Sequence, residues 1–228
     1  MYQHAIQQIK NAIFPIFYQS VQGTNMQFGV SGTGFFIDNF GHFITAHHVV
    51  SEVPPNSTLL YLGNVPEKVI PPVIIQEIFS DPSRDIFLGK VETGALPPVI
   101  LSFDKPNIGK SVCLCGYPLA QITKNPNGSL HVGNVRQYWQ PTFVIDKITA
   151  NIGNRYYSGF MTQDISLNGM SGGPVFDLEG TVFGVDVAFL TREIPQKDRA
   201  PIAVHNGVVV ENNTLVDVYQ KVNIGGYY

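Results

Sequence analysis

The stretch Gly169-Met170-Ser171-Gly172-Gly173-Pro174 sets one serine among three glycines and closes on a proline. Glycine lacks a Cβ, so a backbone built from it can bend tightly and let a reacting carbonyl approach. A serine hydroxyl alone is a weak nucleophile; acyl-transfer chemistry requires a neighbouring base and a third group that orients the base. By itself the hexapeptide also reads as a plain turn between strands. The choice between the two readings depends on where a histidine and a carboxylate stand in the remaining chain.

Downstream, Val175-Phe176-Asp177-Leu178-Glu179-Gly180-Thr181-Val182-Phe183 has the turn chemistry of a β-hairpin. Upstream, Phe43-Ile44-Thr45-Ala46-His47-His48-Val49-Val50 reads as a strand with a histidine pair, and Asp85 opens the apolar strand Ile86 to Val91. The serine motif also satisfies the G-x-S-x-G elbow of α/β-hydrolases. That alternative fails, because an elbow serine sits between a strand and a helix and precedes its acid and histidine. Here the hairpin follows the serine, and the only later histidine is His205.

Strand signals dominate the whole chain: Phe28–Asp38, His42–Val50, Thr58–Leu62, Lys68–Ile78, Ile86–Val91, Ser111–Gly116, Leu130–Trp139, Thr142–Ala150, Gly173–Phe176, Val182–Leu190 and Gly207–Val210. Two helices are expected, over Tyr2–Asn11 and Thr214–Val222, the second capped by Asn213. The proline-bearing stretch Gly94–Gly109 is the expected linker.

Composition agrees with this pattern. The 228 residues are 44% hydrophobic and 14% charged, with 22 Gly and 16 Pro, as suits a compact protein of many short strands. A net charge of -3 disfavours nucleic acid and anionic membrane as partners. Met1–Ser20 has no basic start, and Pro15 interrupts its apolar run, so neither a signal peptide nor a membrane span is expected, and the location expected is cytoplasmic. Cys113 and Cys115 stand two apart on one strand face and are expected as buried reduced thiols. His42, His47 and His48 lack a fourth metal ligand at a familiar spacing, and no metal or organic cofactor is implied.

The histidine strand, the Asp85 strand and G-M-S-G-G-P, in that order, resemble the chymotrypsin-like (trypsin-fold) serine proteases, and most closely the protease domain of the HtrA/Deg group. The resemblance runs from about Gly29 to about Leu190 and includes Gly32-Thr33-Gly34-Phe35-Phe36-Ile37 and Cys115-Gly116-Tyr117-Pro118-Leu119. It implies an all-β fold of two antiparallel Greek-key β-barrels with short terminal helices: residues 1–104 as the N-terminal helix and first barrel, and 105–228 as the second barrel and C-terminal helix. It also implies a serine endopeptidase acting on polypeptide, with His48 as general base, Asp85 as orienting carboxylate, Ser171 as nucleophile, and the backbone N–H groups of Gly169 and Ser171 as the oxyanion hole. His47 falls at the variable position, and Asp81 reads as shaping a turn before Pro82.

Departures from the family pattern carry expectations of their own. Met170 stands where zymogens of the trypsin type keep an aspartate for the new N-terminus, so activity is expected to be constitutive or governed by loop ordering. No residues follow Tyr228 to form a PDZ domain. Val187 occupies a position where serine or threonine often supports the acid, which leaves Asp85 one hydrogen bond short. Ile165, with Val187, Ala188 and Phe189, is expected to line a substrate pocket favouring small or medium apolar residues before the cut. The competing reading is a catalytically idle protease-fold binding or scaffolding protein. No oligomeric state is implied.

Overall fold

Apolar residues spaced for strands and punctuated by turn residues build two curled sheets in a computed structural model, which describes residues 1–23, 25–63, 72–92, 94, 96–124, 130–196 and 199–223. The chain opens with helix α1 (Gln3–Ile9), then β1 (Ile13–Gln22), β2 (Asn25–Phe36), β3 (His42–Ala46), helix α2 (His47–Ser51), β4 (Ser57–Tyr61), β5 (Val73–Ile74), β6 (Gln76–Asp81) and β7 (Ile86–Lys90). There follow β8 (Ile100–Leu101), β9 (Ser111–Gly116), β10 (Gln121–Lys124), β11 (Leu130–Gly133), β12 (Tyr138–Ile152), β13 (Arg155–Thr162), β14 (Pro174–Phe176), β15 (Thr181–Gln196) and β16 (Arg199–Glu211), and then the short helix α3 (Val216–Tyr219).

The first sheet runs β5-β4-β1-β2-β3-β7-β6. Its two edge strands are separated in sequence by Ile75 alone, so the sheet curls back towards itself. Its interior is aromatic: Phe14 stacks on Phe36 at 4.4 Å between ring centroids, with Phe43 and Tyr61 presenting edges. In the second sheet β14 pairs with both β9 and β15, which closes a ring of β9-β12-β13-β16-β15-β14. Val112, Leu114, Val144, Phe160, Met170, Val175, Phe183 and Val209 fill its interior. A larger apolar cluster joins the first interior to the seam between the sheets and takes in Cys113 and Cys115. Both cysteines are unbridged, and burial raises their thiol pKa values.

Several segments differ from the sequence expectation. The N-terminal helix packs on the second sheet, not the first: Tyr2 Oη lies 2.8 Å from Ser111 Oγ, its ring meets Phe176 edge-on, and Ala5 and Ile9 cover Gly180. The apolar run read for a leader is β1, a central strand of the first sheet. Within the expected linker, β8 pairs in parallel with β15. The C-terminal helical segment begins as a 3-10 turn at Asn212, and Asn213 makes no side-chain cap. Of the strand expected over Lys68–Ile78, residues 68–71 lie outside the described residues.

Because Tyr2 is buried and closes two contacts with the second sheet, Tyr2→Ala should cost about 3 kcal/mol of stability. Urea denaturation of the variant against the natural protein measures it.

Candidate active site

The strand expected over His42–Val50 ends at Ala46, and His47–Ser51 is helical. Two β-branched valines favour extended backbone, but a tertiary cap overrides them. The main-chain oxygen of Asp85 accepts His47 N–H at 2.9 Å, and its Oδ1 accepts His48 N–H at 2.8 Å. The other carboxylate oxygen, Oδ2, accepts His48 Nδ1–H at 2.9 Å. A carboxylate only accepts, so this bond fixes the proton on Nδ1 and leaves Nε2 able to take one. On the helix His47 points elsewhere: it lies 3.3 Å from Ser51 Oγ and lines a separate recess with Ser57 and Glu77.

Asp85 is wholly buried and holds a positive φ of 60°, a conformation that a non-glycine residue keeps only when its surroundings enforce it. The preceding turn supplies the enforcement. Asp81 Oδ1 accepts the N–H groups of Ser83 and Arg84 and the Ser83 hydroxyl, the turn-shaping role expected of it. Arg84 then reaches from Asp81 to a two-point contact with Asp217 and to the Thr214 carbonyl, tying the turn to α3.

Two residues of the site have no signal in the sequence. From β13 of the second sheet, Tyr157 donates its hydroxyl to Asp85 Oδ2 at 3.3 Å, and Arg155 Nη1 lies 3.4 Å from the same oxygen. Arg155 also bonds Glu52, at the end of α2, at 3.1 Å. Val187 faces the core at 2% exposure, so the hydrogen bond missing there is replaced from another strand. Only the pairing of β13 against the Asp85 turn, seen also in Tyr156 N–H to the Ser83 carbonyl at 2.7 Å, brings these groups together. Burial raises the Asp85 pKa, but the hydrogen bond and charge of His48, its backbone N–H and the charge of Arg155 outweigh it and hold the carboxyl below its ordinary value.

The Ser171 turn abuts the end of β3. A Cβ on Gly172, whose φ is +82°, would fall 2.0 Å from Thr45 Oγ1 and 2.8 Å from Ala46 N, so only glycine lets the turn come this close to the strand that leads into α2. Thr33 clamps the turn twice: its N–H donates to the Ser171 carbonyl at 2.9 Å and its hydroxyl to the Gly169 carbonyl at 2.7 Å. Gly172 N–H and Gly173 N–H are taken by the carbonyls of Asp186 and Met170. Among the described residues, the N–H groups of Gly169 and Ser171 donate to no protein acceptor. Two such free donors beside a serine can bind an oxygen that gains negative charge.

The expected pocket residues differ in burial. Ile165 and Phe189 stand on the surface, 37% and 60% exposed, and Val187 is core; Ala188 alone is half-buried on the strand beside the serine turn. The register of β15 against β16 shifts between Asp186 and Ala188, and across that irregularity Val187 is buried while Phe189, two residues on, is exposed. The polar group the expectation passed over is Asp186, 1% exposed. Neither of its carboxylate oxygens has a hydrogen-bond partner of good geometry. Burial pushes its pKa up to about 7, against smaller opposing pulls from Ser166 and the charge of His48.

Two curled, mainly antiparallel sheets, one carrying a histidine–aspartate pair and the other a glycine-framed serine against it, define the trypsin-like fold class. Residues 32–185 match the model of the trypsin-like peptidase domain, and the chain belongs to that family. Among curated proteins it is 31% identical over 186 residues to the uncharacterised protein y4bJ of Sinorhizobium fredii, covering 73% of this chain and 24% of that one. It is 29% identical over 163 residues to a probable periplasmic serine endoprotease, DegP-like, of Pseudomonas fulva, covering 71% of this chain and 29% of the relative. The chain thus spans less than a third of the length of these relatives. Among solved structures, the HtrA-type protease AlgW with decapeptide superposes with TM-score 0.70 at 16% identity, covering 99% of this chain and 68% of that one. The active form of the Rv3671c protease from M. tuberculosis gives 0.66 at 19% identity, covering 96% and 84%. The fold and the relatives fit an HtrA/Deg-type protease domain.

The cytoplasmic expectation is overturned, because the DegP-like relatives are named periplasmic. The N-terminal segment forms α1 and β1 and packs into the folded core. Among the described residues no helix is long and apolar enough to cross a membrane.

The two buried carboxyls predict opposite pH trends. Asp85, with its pKa lowered, stabilises the fold above its ordinary value, and that stability is lost as pH falls; Arg155→Met should lower Tm more at about pH 7 than at about pH 3. Asp186, with its pKa raised from 3.8 to about 7, contributes stability that is lost as pH rises through that window. The Tm of Asp186→Asn relative to the natural protein should therefore climb between about pH 4 and about pH 8, as read by thermal melts across pH.

Proposed function

We propose that this chain is a serine endopeptidase domain that hydrolyses peptide bonds through an acyl-enzyme, with His48, Asp85 and Ser171 as its triad. The observation that carries the reading is the hydrogen bond between Asp85 Oδ2 and His48 Nδ1, on the helix whose lead-in strand packs against the Ser171 turn. His48 Nε2 takes the Ser171 proton as the hydroxyl attacks the scissile carbonyl, and Asp85 stabilises the imidazolium that forms. The free N–H groups of Gly169 and Ser171 bind the oxyanion. The proton on His48 then passes to the leaving amine, and water repeats the sequence on the ester. Tyr157 and Arg155 hold Asp85 in place from the second sheet. Met170 belongs to the second interior and offers no charge to a new N-terminus, so the turn forms without that switch.

The substrate is a polypeptide. The names of the relatives point to the periplasm as the working compartment.

A fluorophosphonate probe should label Ser171 in the natural protein and leave Ser171→Ala unlabelled. Peptide turnover by Ser171→Ala or His48→Ala should fall by about three to six orders of magnitude, with His47→Ala far milder. A natural protein that never labels supports an idle binding module instead, and equal damage from both histidine variants overturns the choice of His48.

A further inference from the structure

Among the described residues, Asp186 is the most anomalous group near the site. It is an acid at 1% exposure, with Ser166 beside it but neither carboxylate oxygen in a hydrogen bond of good geometry. Glu211, the other buried carboxylate with a free oxygen, keeps Lys105 at 3.6 Å and lies in the strand leading to the C-terminal helical segment. Asp186 has no such cation, although buried polar groups are nearly always satisfied.

Its position is set by the main chain. Asp186 C=O accepts Gly172 N–H at 2.7 Å, and its own N–H donates to the Gly173 carbonyl at 2.9 Å, so β15 is bonded to the two residues that follow Ser171. Its register partner on β16 is Val209, a member of the second interior, and its neighbours Val185 and Val187 belong to the opposite, seam-facing cluster. The carboxyl therefore points away from the seam. Beside it stands Ser166, in the loop from β13 to the serine turn, and Ser166 is half-buried where Asp186 is fully buried. Ser166 is thus the member of the pair that reaches solvent, with Asp186 behind it.

The side chain on the acyl side of the scissile bond departs from the carbon next to the attacked carbonyl, within about one side-chain length of Ser171. We infer that Asp186, with Ser166, is the specificity-determining residue of this peptidase and selects a side chain carrying a hydrogen-bond donor immediately before the cut. This rests on the proposed peptidase reading and replaces the apolar preference expected from Ile165. A site whose buried acceptor is left empty by an apolar side chain discriminates more strongly than a hydrophobic pocket choosing by size. Once ionised, the buried acid costs stability in the free protein, and the correct substrate satisfies it. The raised Asp186 pKa agrees with a carboxyl that waits for a partner.

The test uses peptides identical except before the cut, in matched pairs: threonine against valine, asparagine against leucine, and lysine against norleucine. In the natural protein the donor member of at least one pair should have kcat/KM about tenfold or more above its apolar partner; the first two pairs report a neutral donor and the third a cation. Asp186→Val should abolish or reverse that ratio, and Asp186→Asn, which keeps an acceptor, should retain part of it. Ratios within one variant are insensitive to how much of it folds, and the natural protein alone decides the first arm. Apolar members equal or preferred in all pairs, or a ratio unchanged in Asp186→Val, overturns the inference. Fluorophosphonate labelling separates the failures: no labelling of the natural protein removes the peptidase reading and this inference together, whereas labelling with an apolar preference removes this inference alone.

Discussion

The Asp85 carboxylate is the point on which the rest of the site depends. One oxygen receives the backbone N–H of His48 and the other its imidazole, so a single group both starts helix α2 and orients the ring carried on it. Without that cap the valine-rich segment after Ala46 has little reason to leave the strand, and His48 would face away. The burial that makes the carboxylate effective also makes it costly. Donors from His48, Tyr157 and Arg155 surround it and keep it ionised.

The serine half is governed by close approach instead of charge. Gly172 lies where any side chain would strike Thr45 and the β3 backbone, and Thr33 holds the turn by two bonds. The histidine and serine halves thus meet through main chain and threonine hydroxyls, contacts that leave little freedom in their spacing. A stiff frame suits chemistry in which a proton must travel between fixed atoms.

Much of this was legible in the residues because it is local. Strand periodicity, the Asp81 turn and the glycines around Ser171 each express themselves within a few positions. The seat of His48 was legible only in part: His47 and His48 read as strand, whereas they stand on a helix made by Asp85, far away in sequence. Arg155 and Tyr157 were invisible because a tyrosine and an arginine in an exposed-looking hairpin acquire meaning only when β13 pairs across the molecule. The burial of the residues around the expected pocket was not legible for a related reason: position along the chain does not give position in space, and β15 turns Val187 inward and Asp186 to the other side. The address of the protein was not legible at all, because Met1–Ser20 is occupied in building the fold.

The support of Asp85 by β13 also has a temporal meaning. Ribosomes deliver the histidine and aspartate well before Arg155, Tyr157 and Ser171, and the second ring closes only when β14 and β15 can both reach β9 and one another. A nascent chain with only its first sheet therefore holds an acid deprived of two of its donors, with the Ser171 turn still to come. The histidine–aspartate pair and the serine turn are brought together only late in synthesis, once the second ring has closed.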